Sequence, residues 1–254
     1  MAHALVNAVQ SGSLGACRWA HATYGLTAAD ARADNNEALR YAARNGHLDV
    51  CRWLHATFAL TPGDARAYDN FALRIAAKYG RLGVCRWLHA TFRLTAEDAR
   101  AYTDEALRWA AVNGHLDVCR WLHTTFHLTA ADARACDNHA LREAAQNGHL
   151  DVCQWLCTTF ALTPADARTW DNYALRQAAI NGRLGVCRWL HATFALTPAD
   201  ARACNNLALH VAAVKGHLGV CQWFHATFRL TVAEWETYAG VMKLPVAAWI
   251  ATII

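Results

Sequence analysis

The stretch Asn-Gly-His-Leu-Asp-Val-Cys-Arg-Trp-Leu-His at residues 45–55 returns word for word at 113–123. Close variants stand at 11–21, 79–89, 147–157, 181–191 and 215–225. Its cysteine marks the register: Cys17, Cys51, Cys85, Cys119, Cys153, Cys187 and Cys221 follow one another at 34 residues. A fixed period of this size means a stack of like supersecondary units, each unable to bury its apolar face alone. The expected fold is therefore an all-α solenoid of seven stacked helix-turn-helix units. The units fall at about 3–34, 35–68, 69–102, 103–136, 137–170, 171–204 and 205–239, in one array over 1–239. Residues 240–254 follow as a C-terminal apolar capping segment.

Residues 35–68 serve as the type unit. Asn36 is placed as a helix N-cap, accepting from the open amides of the first turn. The first helix is predicted from Glu37 to about Asn45, ended by Gly46, where glycine enters a left-handed conformation cheaply. The second runs from about His47 to Thr57, with Leu48, Val50, Cys51, Leu54 and Phe58 as its apolar stripe. Thr61-Pro62-Gly63-Asp64 then sets threonine at a cap, proline at the first helical position and a carboxylate at the third. A short third helical turn is expected over Asp64–Ala67, and Pro164 and Pro198 repeat the signal in later units.

Composition agrees with a buried core and points to no special partner. Of 254 residues 55% are apolar and 17% charged, and the net charge is +4 with no run of lysine or arginine. Ten cysteines are present. Stacked helices lie roughly 8–10 Å apart, whereas a disulfide needs Cα atoms within roughly 7 Å. The ladder cysteines are thus expected to be unbonded, small buried hydrophobes, which suits a reducing compartment. Met-Ala-His-Ala-Leu-Val lacks the pattern of a secretory signal, and the apolar tail from Leu244 is too short to span a bilayer. The expected location is intracellular, cytoplasmic or nuclear.

The wording Ala-Leu-Arg-Tyr-Ala-Ala-Arg-Asn-Gly-His-Leu-Asp-Val-Cys-Arg-Trp-Leu at 38–54 resembles the ankyrin repeat, and Leu209-His210-Val211-Ala212-Ala213 with Gly216-His217-Leu218 comes nearest to that family's signature. The likeness holds in register through all seven units and is similar to divergent arrays of protists and large DNA viruses. It implies helix pairs stacked into a curved array that binds proteins on its concave side. The function implied is a non-catalytic protein–protein interaction scaffold or adaptor. Two features depart from the family. Asn-x-Ala replaces the Thr-Pro that opens its first helix, and Leu-Thr-x-x-Asp-Ala-Arg replaces the segment that forms its protruding hairpin. The tetratricopeptide family shares the period but not the Gly and Tyr spacing.

Comparing units within the chain separates two kinds of position. Ala38, Leu39, Ala42 and Ala43 recur almost unchanged on one helical face. Positions 37, 41 and 44 vary freely on the other. Drift on a solvated face and contact with a partner both produce variation, but large aromatics weigh toward a partner surface. The candidate partner-binding residues are Tyr41, Arg44, Phe71, Ile75, Lys78, Glu105, Trp109, His139, Glu143, Tyr173 and Gln177. Beside them Arg40, Arg74, Arg108, Arg142 and Arg176 form a ladder. It reads either as structural bonds to loop carboxylates such as Asp69 and Asp137, or as a cationic track for a polyanion or nucleic acid.

No catalytic constellation, phosphate loop or cofactor motif emerges, and Gly-Ser-Leu-Gly at 12–15 reads as the start of a second helix. His149, Cys153 and Cys157 share a helix face, but no metal site is assigned, since the Cys–His pairs of the ladder supply only two ligands per unit. The first unit diverges at Val6, Ser13 and Ala20, as a terminal unit should. Val241–Ile254, with Trp249, Ile250, Ile253 and Ile254, is expected to fold over the seventh unit. A monomeric array follows unless that tail mediates association. A structural subunit of a larger assembly is the remaining alternative.

Overall fold

The apolar stripe around each ladder cysteine forms a helix wherever it occurs. The structure, a computed structural model, describes residues 2–236 and 242–252. Second helices of eleven residues run Leu14–Tyr24, Leu48–Phe58, Leu82–Phe92, Leu116–Phe126, Leu150–Phe160, Leu184–Phe194 and Leu218–Phe228. Val50, Cys51, Leu54 and Phe58 are buried, as are their counterparts in the next five units. The seven ladder cysteines are buried free thiols. Burial in apolar surroundings pushes the Cys51, Cys187 and Cys221 thiols up to about 12. Such thiols behave as packing groups. Among the described residues there are 21 helices and no strand, an all-α repeat array.

The first helices present Ala38, Leu39, Ala42 and Ala43, and the same columns in later units, to the core. Gly46 ends the helix at φ +81°, its amide donating to the Ala42 and Ala43 carbonyls. A side chain there would also collide with the next unit, because a Cβ would come within 2.8 Å of Arg81. Glycine is required twice over, by backbone conformation and by close packing.

The start of the first helix differs from expectation. Asn36 is no side-chain cap: it sits at φ +59°, and its buried Oδ1 has no hydrogen-bond partner. It is the last of three consecutive left-handed residues, Asp34, Asn35 and Asn36. The pattern recurs at 68–70, 102–104, 136–138, 170–172 and 204–206. Left-handed backbone costs roughly 1–2 kcal/mol per residue and least for Asn and Asp, which explains why those types fill the second and third positions, Thr103 excepted. The arginine ladder holds this turn. Arg40 donates Nε to the Asn35 carbonyl at 3.1 Å and Nη2 to the Asp34 carbonyl at 2.7 Å. Arg108, Arg142 and Arg176 repeat both bonds. The expected acceptors were loop carboxylates. The observed ones are backbone carbonyls, which the left-handed turn aims at the guanidinium.

The third element is one turn, Pro62–Ala65, capped by Thr61 with proline at the first helical position, and it ends two residues before the expected Ala67. Thr61 and Asp64 form a reciprocal capping box, and the other carboxylate oxygen of Asp64 accepts from Arg32 of the preceding unit at 2.9 Å. The Asp-Ala-Arg wording is thus a bolt between units.

The chain divides into two compact units, Met1–Asp132 and Ala133–Ile254. Within the first the bolt recurs as Arg66–Asp98 and Arg100–Asp132. Within the second it recurs as Arg134–Asp166, Arg168–Asp200 and Arg202–Glu234. A second tie runs through the histidines. His55 donates its Nδ1–H to the Leu60 carbonyl, 2.9 Å away, and packs edge-on against Trp87 and Phe92 of the next unit. Cys157, in the same column, points its thiol to the Leu162 carbonyl.

Two ends add detail. The first unit leaves Trp19 and Tyr24 exposed, so its outer flank keeps aromatic surface despite Ala20. In the second compact unit, Lys243 lies over Gly216 and donates its amide to the Ala213 carbonyl, and the helix Leu244–Ile250 follows. Trp249 packs against His225 and Trp235, with Val246 and Ile250 buried. Lys243 and Trp249 thereby take the places that a following unit's residues take elsewhere. Val241, Ile253 and Ile254 lie outside the described residues. No helix among the described residues is long and apolar enough to cross a membrane.

Candidate functional site

The variable positions of the first helices lie beside the left-handed turns, so the two sets form a single strip in each compact unit. In Met1–Asp132 the strip begins at an open cleft of about 210 Å³ lined by Glu37, Arg40, Tyr41, Arg44, Phe71 and Ile75. A neighbouring cleft of about 230 Å³ is lined by Tyr68, Asp69, Phe71, Arg74, Tyr102, Glu105 and Trp109. Seven candidate residues meet here: Tyr41, Arg44, Phe71, Ile75, Lys78, Glu105 and Trp109.

Their exposure is unequal, and this corrects the picture of a uniformly solvated face. Ile75 is 7% exposed and floors the first cleft. Glu105 is 8% exposed and is spent in an ion pair with Arg74, itself 3% exposed. Trp109 is half-buried, edge-on to Phe71 with ring centres 6.3 Å apart, and the Lys78 ammonium lies 4.6 Å from the indole centre. The indole is already partly partnered within the chain. Neighbouring units pack side by side, so a residue turned away from its own helix pair still meets the adjoining columns of the neighbouring unit.

Arg74 departs from its ladder. It bonds the Tyr68 carbonyl through Nη2 and Glu105 through Nη1, leaving its buried Nε without an acceptor. The Tyr102 ring centre stands 4.6 Å from its guanidinium and that of Phe71 5.2 Å. Glu105 draws the guanidinium away from the position its column-mates hold.

In Ala133–Ile254 the strip carries His139, Glu143, Tyr173 and Gln177, all half-buried. Tyr173 donates its hydroxyl to Gln146 Oε1 at 3.0 Å. Burial first, and then the Glu143 carboxylate, push its phenol up. Arg142 lies 4.0 Å from the Trp170 ring centre and 5.0 Å from that of Tyr173. The Gln177 carbonyl accepts from Asn181.

The most exposed aromatics of the strip were not among the expected residues. Tyr68, Tyr102 and Trp170 are 59%, 63% and 56% exposed. They occupy the first left-handed position, a column that reads Asp34, Tyr68, Tyr102, Cys136, Trp170 and Cys204. This column varies from unit to unit as freely as the helix face does, but the Asn and Asp beside it carry the signature of a helix cap, which hides a displayed position.

The ladder arginines turn inward. Arg74, Arg142 and Arg176 are buried, and each of the five donates to a turn carbonyl. Among the described residues no group of three His, Cys, Asp or Glu side chains is placed to hold a metal ion, including His149, Cys153 and Cys157.

Comparison with known proteins bears on the same residues. The family model for ankyrin repeats matches in three overlapping copies, at residues 5–98, 73–166 and 141–229. Among solved structures, the chain is similar to an ankyrin repeat family protein from Legionella pneumophila, at 21% identity over 89% of this chain and 71% of that one, with a TM-score of 0.43. No curated protein matches the chain.

Proposed function

Because the chain belongs to the ankyrin-repeat family, whose repeats generally mediate protein–protein interaction, we propose that it is a non-catalytic scaffold or adaptor that holds a protein partner on the strip of first helices and left-handed turns. The observation that carries this reading is the exposure of Tyr68, Tyr102 and Trp170 next to a variable helix face. A solvated turn has no use for large aromatic rings, whereas interfaces draw much of their energy from such anchors. Arg40, Arg74 and Arg142 lie against Tyr68, Tyr102 and Trp170 in turn, and rings held in this way lose less entropy on binding. Tyr41, Arg44, Phe71, Lys78, Trp109, Tyr173 and Gln177 extend the surface around them. Ile75 and Glu105 act from beneath, as cleft floor and as the partner of Arg74. A polyanion track gains no support, since the arginines it needs are committed to the turns.

The test is site-specific photo-cross-linking. A benzophenone side chain placed at Tyr41, Tyr102 or Tyr173 should capture one and the same partner in cells. The same group at Arg86 or Arg120, exposed on second helices, should not. Capture from the second-helix positions alone would contradict the reading.

A further inference from the structure

Arg44 and Lys78 occupy the same column in successive units, and unlike the ladder arginines, which also approach shared rings but are bonded to turn carbonyls, neither side chain has a hydrogen-bond partner among the described residues. The Arg44 guanidinium stands 5.1 Å and the Lys78 ammonium 5.9 Å from the centre of one ring, that of Tyr79. Two cations approach one aromatic ring, and among the described residues neither has a carboxylate partner. The bolt arginines of this compact unit, by contrast, each meet an acid of the next unit, as in Arg66–Asp98 and Arg100–Asp132. The positive end of the strip also adjoins the cleft of about 210 Å³ walled by Tyr41 and Phe71 and floored by Ile75. At the far end of that cleft stands Glu37, seven residues before Arg44 and so roughly 10 Å along the helix.

We propose that this cleft is the specific seat of an acidic linear peptide, one large apolar side chain entering between Tyr41, Phe71 and Ile75 while an adjacent carboxylate sits between Arg44 and Lys78. The proposal rests on the protein-binding reading above and names the chemistry of the partner. An anion between the two cations relieves their mutual repulsion, and the aromatic rings beneath orient both charges. Glu37 sets the polarity, repelling an acidic residue at the opposite end. A nucleic acid meets the charge requirement, but the polar edges of a base would go unpaired in a cleft floored by Ile75 and walled by Tyr41 and Phe71, so a peptide fits both features. The cationic rim is solvated, and its contribution weakens as salt screens it.

The experiment pans a random dodecapeptide phage library on the intact chain and measures synthetic copies of the enriched peptides by fluorescence anisotropy. Enriched sequences should pair acidic residues with a single Leu, Met or aromatic anchor. Their affinity should fall at least about tenfold in the double variant Arg44→Glu/Lys78→Glu, as expected when like charges face each other. Tyr41→Ala should weaken binding, and Arg86→Glu on a second helix should leave it unchanged, with thermal melting confirming that each variant is folded. Peptides that depend on Tyr41 but are not acidic and ignore the charge reversal would overturn this inference alone. Peptides sensitive only to Arg86→Glu would overturn it together with the first-helix reading. Enrichment of nothing, or equal binding by polyglutamate or heparin without an apolar group, would overturn the peptide proposal.

Discussion

At the scale of single residues, Asp104 is the odd member of its column. Its counterparts Asn36, Asn70, Asn138, Asn172 and Asn206 are amides, and an amide can donate to an acid of the next unit, as Asn206 Nδ2 does to Glu234 at 3.3 Å. Asp104 faces Asp132 instead, with Arg100 and Arg108 the charges of opposite sign nearby. Burial first, and then repulsion by Asp132, push its carboxyl up to about 7. A carboxyl whose folded value lies above its unfolded one binds its proton more tightly in the native state. Its stabilising contribution is complete below about pH 4 and is lost as the pH rises through 7. Asp104→Asn supplies a permanent donor and a residue better suited to φ +57°. We expect the variant to match the wild type near pH 4 and to exceed it by roughly 2–4 kcal/mol at pH 8, by chemical denaturation at both values. An equal difference at the two pH values would refute the raised Asp104 carboxyl.

At the scale of elements, the first helix separates packing from display less sharply than its sequence suggests. Leu107 is buried on the fixed face, and Leu107→Ala should cost roughly 2–5 kcal/mol. Trp109, two residues on, leans on Phe71 and Lys78, so Trp109→Ala should cost about 1 kcal/mol rather than nothing. Melting curves for the two variants give the comparison, and an equal loss would mean that the variable face is core. The third element makes a different demand. Burial alone would raise the Asp132, Asp166 and Asp200 carboxyls, but bonds from the arginine of the preceding unit and the capping threonine hold them at about 2. Groups held low contribute stability that is present above about pH 4 and lost as the pH falls toward 2. Arg66→Ala, which leaves the buried Asp98 with only its cap, should destabilise by about 1–3 kcal/mol. Arg86→Ala, which breaks no bond among the described residues, should change stability by less than about 0.5 kcal/mol. Denaturant midpoints decide it, and equal effects would make the bolts ornamental.

At the scale of the whole molecule, the repeat made the helix pairs legible, because a 34-residue period in cysteine, glycine and alanine leaves one architecture that buries every copy. The strip was legible only in part. Tyr41 and Arg44 could be read from variation at helical spacing, and they line a cleft. Tyr68, Tyr102 and Trp170 escaped because their position depends on three left-handed residues in a row, a conformation that Asn and Asp tolerate without announcing it. The inward turn of the arginines was hidden for the same reason, since it is that turn which presents the carbonyls. The tail segment around Trp249 lies against His225, and we propose that it serves as the array's closing surface. The central claim is that the turn-tip aromatics, with the helix face beside them, form the partner surface. It is tested most directly by the triple variant Tyr68→Ala/Tyr102→Ala/Trp170→Ala, compared with the second-helix variant Arg86→Glu/Arg120→Glu in paired melting and partner-capture measurements. The account predicts that the tip variant melts within a few degrees of the wild type and loses the partner, while the second-helix variant keeps it. A tip variant that still captures the partner, beside a second-helix variant that does not, would contradict it.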